Sequence, residues 1–247
     1  MLGEDLPERI QQVQARIAEA ALRVGRSPET VTLVAVSKTH PPELVALALD
    51  LGLQHFGENR VEEALPKMEA VAALRPAARP CWHMIGHVQR RKAAEVLDFT
   101  LIHSLDRLPL AYKLNDLAEG LGIRIPVLLE CNISGEKNKY GFPLAGWETE
   151  APILETFFKA VELLLELPAL ELCGLMTMAP IVEEAEQARP YFASLRALRE
   201  VLRERFPMVD WRELSMGMTD DFEVAVEEGA TLVRIGRALF GPREETA

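Results

Sequence analysis

Eight short apolar runs, separated by stretches with helical periodicity, constrain the fold of this chain more than any other feature. They lie at 31–37, 54–57, 82–86, 100–103, 125–131, 171–176, 211–215 and 231–235. The first, Val31-Thr32-Leu33-Val34-Ala35-Val36-Ser37, is rich in β-branched residues and reads as a strand buried on both faces. Residues 42–51, 60–73, 88–97, 107–121, 152–166, 184–205 and 220–228 read as helices. Asp220-Asp221 ahead of Phe222 marks a helix N-terminus, and Gly229 after Glu227-Glu228 marks a stop. Alternating strands and helices imply a parallel sheet, and eight repeats imply closure into a (β/α)8 TIM barrel of the α/β class. An open doubly wound sheet is the competing architecture, but it wants a Gly-rich turn after its first strand. Here that turn is Ser37-Lys38-Thr39-His40-Pro41-Pro42, without glycine. Residues 1–247 are therefore expected to form one domain, with a helix in 1–26 packed on the barrel and a short tail at 242–247.

The net charge of −11 argues against a nucleic-acid or anionic-membrane surface, both of which need a basic field. Cys81, Cys131 and Cys173 are odd in number and widely spaced, which suits buried thiols in a reducing compartment. No stretch has the length of a membrane span, and residues 5–24 alternate charged and apolar residues like a surface helix. A cytoplasmic location is expected.

Lys38 closes the first apolar run. A lysine at the inner end of a buried strand is tolerable if its pKa is lowered, and such a lysine is a nucleophile towards carbonyl compounds. Alternatively it lies just past the strand and reaches solvent. In a barrel, active-site groups gather at the C-terminal strand ends. Other groups expected at that mouth are Glu58 and Asn59, His83 and His87, Met176 and Thr177, Ser215 to Thr219, and Arg234 to Arg237.

Ser215-Met216-Gly217-Met218-Thr219 and Ile235-Gly236-Arg237 follow the last two strands. Glycine there lets backbone N–H groups converge on an anion, and barrels often hold phosphate at this place. Each glycine alone is also explained by a tight turn. A nucleophilic lysine facing a phosphate cradle narrows the ligand to a phosphorylated carbonyl compound. Pyridoxal 5′-phosphate fits, and a phosphosugar aldolase substrate fits almost as well on chemistry alone. Arg234 bears on the choice: pointing inward, it would lie against a pyridine nitrogen, where a guanidinium donates a hydrogen bond and does not supply a proton. His83 and His87 have metal-ligand spacing, but Gly86 and the strand-like WHMIG argue against a helix there; no metal is expected, and His83 reads as a hydrogen-bonded residue inside the barrel. Residues 134–141 read as a mobile loop at the mouth.

Through these residues the chain resembles the pyridoxal phosphate homeostasis protein family, similar in fold to the barrel domain of alanine racemase. The resemblance rests on AVSKTH (35–40), FGENR (56–60), WHMIGHVQRRK (82–92), CNISGEKNKYGF (131–142), GLMTMAP (174–180) and LSMGMTDDFEVAVEEGATLVRIGRALFG (214–241). It implies that Lys38 carries the cofactor as an internal aldimine. It also implies that Ser215, Gly236 and the Arg237 backbone hold the phosphate, and that Arg234 meets the pyridine nitrogen. Asn59, Met176 and Met216 would lie close by. The chain departs from the family pattern at Arg237, where a small hydroxyl residue is common, and at Arg60 and Met84, where aromatics are more usual.

A racemase needs an acid/base group on each face of the substrate Cα. In alanine racemase one of them, a tyrosine, comes from a second domain, and Tyr112, Tyr140 and Tyr191 have no evident route into the site. The expected function is a carrier of pyridoxal 5′-phosphate without robust catalysis, with pyridoxal-phosphate-dependent apoenzymes as recipients and the chain as a monomer. A weak racemase is the alternative.

Overall fold

A computed structural model describes residues 3–241, so the short tail at 242–247 lies outside the described residues. All eight apolar runs become strands: β1 (Thr32–Val36), β2 (His55–Glu58), β3 (Cys81–Met84), β4 (Leu101–Leu105), β5 (Ile125–Asn132), β7 (Leu170–Met176), β8 (Glu213–Ser215) and β9 (Leu232–Ile235). A further two-residue strand, β6 (Phe142–Pro143), pairs with the end of β5 and stays outside the barrel. The barrel order is β4-β3-β2-β1-β9-β8-β7-β5, and pairing of β4 with β5 closes it. Every pairing is parallel. This is the TIM barrel that eight strand–helix repeats imply.

The outer layer holds α1 (Leu6–Arg23), α2 (Pro42–Asp50), α3 (Val61–Leu74), α4 (Leu108–Leu121), α5 (Ala151–Leu165), α6 (Arg189–Arg205), α7 (Phe222–Glu227) and α8 (Arg237–Phe240). Two expected α-helices differ. Residues 90–96 form a 3₁₀ helix, and α6 is preceded by a separate 3₁₀ turn at Ala185–Ala188. Helix α7 ends as expected: Gly229 has φ +98°, and Ala230 N–H bonds the Ala225 carbonyl at 2.9 Å. At its start Asp221 does not cap the helix; its Oδ1 accepts the Met218 N–H at 2.6 Å and pins the preceding turn. The N-terminal helix α1 packs on α7, with the Arg16 guanidinium paired to Glu223 and lying over the Phe222 ring. Among the described residues no helix is long and apolar enough to cross a membrane.

Two apolar clusters divide the core. The larger fills the space between strands and helices. The smaller is Val34, Leu101, Leu128, Cys173, Met176 and Leu232, drawn from five strands. These are barrel-interior positions, since their strand neighbours lie in the outer cluster on the alternate face, and an extra residue at Cys173 in β7 shifts the register so that Cys173 and Met176 both point inward. The same interior rows carry His103, Glu130 and Arg234, two residues on from Leu101, Leu128 and Leu232. Hydrocarbon from this cluster thus fills part of the barrel interior, and the polar side chains thread beside it towards the C-terminal mouth.

Candidate functional site

The turn after β1 is clamped on both sides of Lys38. On the N-terminal side, Ser37 N–H bonds the Gly57 carbonyl at 3.0 Å, the Ser37 carbonyl accepts from Lys67 Nζ at 2.7 Å, and Ser37 Oγ donates to Glu58 Oε1 at 2.7 Å. On the C-terminal side, Thr39 N–H donates to Glu63 Oε1. Lys67 joins the halves, bonding Glu58 at 2.8 Å and Glu63 at 2.9 Å from a buried position on α3. Thr39 has φ +67°, a left-handed conformation that is uncommon for a β-branched residue and persists because the clamp holds it. Lys38 itself is half-buried. Burial raises the Glu58 carboxyl above its usual range, while Lys67 and the Ser37 hydroxyl pull it down. Glu58, expected to point into the mouth, instead faces α3. The strand alternation that turns Gly57 towards Val34 turns Glu58 the other way.

A line of hydrogen bonds crosses the barrel interior. His55 Nδ1 meets His83 Nε2 at 2.9 Å, His83 Nδ1 meets His103 Nε2 at 2.8 Å, and His103 Nδ1 meets Ser215 Oγ at 2.8 Å. Arg234 Nη1 donates to Ser215 Oγ at 2.5 Å and its Nη2 to the Thr177 carbonyl at 2.9 Å. Burial pushes the His83 pKa down to about 3 and that of His103 well below the usual imidazole value, so both are neutral. Burial lowers Arg234 only to about 10, opposed by Asp221 and Glu130, so the guanidinium keeps its charge at neutral pH. Glu130 is pushed up to about 7 by burial and by Asp106, against Arg234. Its Oε2 is buried without a hydrogen-bond partner.

Strand register gathers the remaining groups. Val34 sits opposite Arg234 across the β1–β9 ladder, and Met176 opposite Ser215 across β7–β8. Met176 lies in the interior cluster, whereas the Met216 side chain belongs to the outer core. Gly217 has φ +93°, and a Cβ there would lie 2.6 Å from that of Ala225. At Gly236 a Cβ would crowd Val36 at 3.3 Å, so glycine lets the start of α8 approach the end of β1. Arg237 pairs its side chain with Asp220 in solvent, leaving its backbone as the group near the strand end. Asn59 is half-buried and lines a cavity of about 640 Å³ with Arg60, Met84, His87, Lys92 and Tyr140. His83 and His87 diverge: His87 stacks on Tyr140 with ring centroids 3.7 Å apart and sits 3.0 Å from Asp106. The loop after β5 is tied to Asn132, which accepts from Gly135 N–H at 2.9 Å and donates to the Glu136 carbonyl at 3.0 Å.

Residues 9–244 match the family described as alanine racemase, N-terminal domain. A pyridoxal phosphate homeostasis protein of Aquifex aeolicus (strain VF5) is 43% identical over 238 residues, covering 96% of this chain and 98% of that protein. One of Escherichia coli (strain K12) is 40% identical over 245 residues, covering 97% of each. The chain belongs to the pyridoxal phosphate homeostasis protein family. Among solved structures, PipY of Synechococcus elongatus PCC7942 with PLP bound is similar at TM-score 0.74 and 35% identity, over 93% of this chain and 100% of that one. The family resemblance points to Lys38, Ser215, Arg234 and Gly236; the Lys67 clamp and the histidine line are set by the fold and have no mark in the sequence.

Two outcomes are expected. Unfolded histidine titrates near 6.5, whereas folded His83 titrates at about 3, so the folded state binds fewer protons between these values. Stability should therefore fall as pH drops through that window, by roughly 1.4 kcal/mol per pH unit for each such histidine. Urea unfolding of His83→Gln across pH 4–6.5 should show a shallower slope than wild type. Lys67→Met should lower stability at pH 8 by about 3–5 kcal/mol, because it leaves Glu58 buried without its cation. The loss should shrink at pH 5 as Glu58 takes up a proton.

Proposed function

We propose that this protein binds pyridoxal 5′-phosphate at the C-terminal mouth of the barrel, holds it reversibly through Lys38, and serves pyridoxal phosphate homeostasis as a carrier. The observation that carries the reading is the β1–β9 register, which sets Arg234 opposite Val34 on the strand beside the one that leads into Lys38. A primary amine, a buried guanidinium and a buried hydroxyl thus belong to the ends of neighbouring strands β1, β9 and β8. This donor set fits the cofactor, and the partnerless Oε2 of Glu130 inside the same barrel marks the polar set as incomplete in itself. The bound PLP of the PipY relative supports the same assignment.

When bound, the cofactor supplies an aldehyde carbon able to form a reversible C=N bond with a primary amine. Lys38 offers that amine, and the clamp on Ser37 and Thr39 orients its backbone. Ser215, Gly236 and the Arg237 backbone N–H take the phosphate. Arg234 would meet the pyridine nitrogen as a donor that keeps its proton, which would leave that nitrogen neutral and the ring a poor electron sink. Asn59 and Met176 would lie near the ring, and Met216 would contribute through its backbone. Pyridoxal-phosphate-dependent apoenzymes are the recipients.

Racemase chemistry asks for a proton carrier on each face of a substrate Cα. Tyr112 lies exposed on α4, Tyr191 packs on the outer core, and Tyr140 stacks on His87 at the rim. Glu130, with a pKa of about 7, is one group that a weak racemase could use. The test is the absorbance of the loaded protein and of Lys38→Ala, followed by Cα deuterium exchange on single amino-acid enantiomers. Loss of the imine band in the variant, with negligible exchange by wild type, is the expected result. A persisting band would move the link to another lysine, and exchange at enzyme-like turnover would replace the carrier with a catalyst.

A further inference from the structure

The three interior histidines offer more than a satisfied core. A neutral imidazole has one donor and one acceptor nitrogen, so in a continuous line each ring's tautomer dictates the next. His55 faces His83 and, at the base of the barrel, Glu213; His83 faces His55 and His103; His103 faces His83, Ser215 and Arg234. Only two polarities are available. In one, the Ser215 hydroxyl donates to His103 Nδ1, and Nε2 carries the proton on His103 and His83. In the other, His55, His83 and His103 all carry it on Nδ1, and His103 donates to Ser215 Oγ.

The two polarities present opposite faces to an anion. A hydroxyl has one hydrogen and two lone pairs. Arg234 already occupies one lone pair at 2.5 Å. If His103 fills the second, the serine hydrogen is left for a third partner, and a phosphate oxygen accepts it. If the hydrogen is spent on His103, a lone pair faces the phosphate and repels it. Ser215 is fully buried, so without an anion its hydrogen has His103 Nδ1 as acceptor.

We propose that His55, His83 and His103 form a tautomeric relay that switches Ser215 from acceptor to donor when a phosphate group binds at the barrel mouth, and that carries the change to His55 at the opposite end. The line spans β2, β3, β4 and β8, so phosphate occupancy at the C-terminal face is expressed at the half-buried His55, on the first residue of β2. There the His55 Nε2 proton leaves to solvent and Nε2 changes from donor to acceptor, while Ser215, whose hydrogen has passed to His103 Nδ1, takes a new one from the entering phosphate monoanion or from water. The depressed pKa values of His83 and His103 favour such a relay, because a protonated ring would have two donors and break the line. His103 is thus a positioning residue for Ser215.

This inference rests on the pyridoxal phosphate reading, and the experiment separates the two. Histidine-selective ¹⁵N labelling with long-range ¹H–¹⁵N correlation at pH 7.5 reports the tautomer of each ring, without and with pyridoxal 5′-phosphate. Loading should move the proton of His103 and His83 from Nε2 to Nδ1. Tautomers that stay unchanged in protein whose imine band shows it to be loaded would overturn the relay and leave the binding site standing. Absence of both band and binding would overturn the site itself, and the relay with it. A second measurement compares affinities in His103→Phe: pyridoxal 5′-phosphate should weaken about tenfold or more while pyridoxal, lacking the phosphate, is unchanged. Equal weakening of both, or of neither, would count against the relay.

Discussion

Four residues of the first barrel strand, Thr32 to Ala35, pair in parallel register with Leu232 to Ile235 of the last. That ladder joins the chain's early and late segments, and both the barrel and its mouth depend on it. It sets Arg234 beside Val34, and it places the glycine turn after β9 against Val36, at the entrance to the Lys38 turn. A one-residue slip would exchange the inward and outward rows of β9, turning Arg234 into the helical layer. The outer apolar cluster resists such a slip, because Val233 and Ile235 are buried in it on the alternate face.

The interior that results is costly in an ordinary sense. Buried polar groups stabilise little on net and destabilise strongly when left unmatched. The protein handles this differently at its two clusters. Around Lys38, Lys67 answers two carboxylates and a carbonyl together, so one buried cation fixes the backbone on both sides of the nucleophile candidate. Along the barrel axis the groups are neutral imidazoles, whose single donor and single acceptor chain together without net charge. Arg234 is the charged member, and Asp221 and Glu130 offset its field. Positioning, more than stability, is what these arrangements supply.

The barrel was legible because its strands are short apolar runs with helical stretches between them. β6 was not: two residues, the second a proline, carry no periodicity, and they pair only because Gly141 lets the chain pack against Glu130 to Asn132. The 3₁₀ segments read as α-helix because a single turn of each looks alike in sequence. Among site residues, Lys38, Ser215, Arg234 and Gly236 lie at strand ends, where position narrows the candidates and the family resemblance picks them out. Lys67 sits in the middle of a helix nine residues past Glu58 and looks like a surface lysine. His55, His83 and His103 are separated by 28 and 20 residues, and only barrel closure brings their rings into line. His83 could be read as an interior residue, but its partners could not.

Reversible holding of the cofactor requires that Lys38, and no other lysine, takes its aldehyde. The most direct test is to load the purified protein with pyridoxal 5′-phosphate, reduce with borohydride, digest, and locate the modified lysine by mass spectrometry. One dominant adduct, on Lys38, is expected. A dominant adduct on Lys67, Lys137 or Lys139 would contradict it.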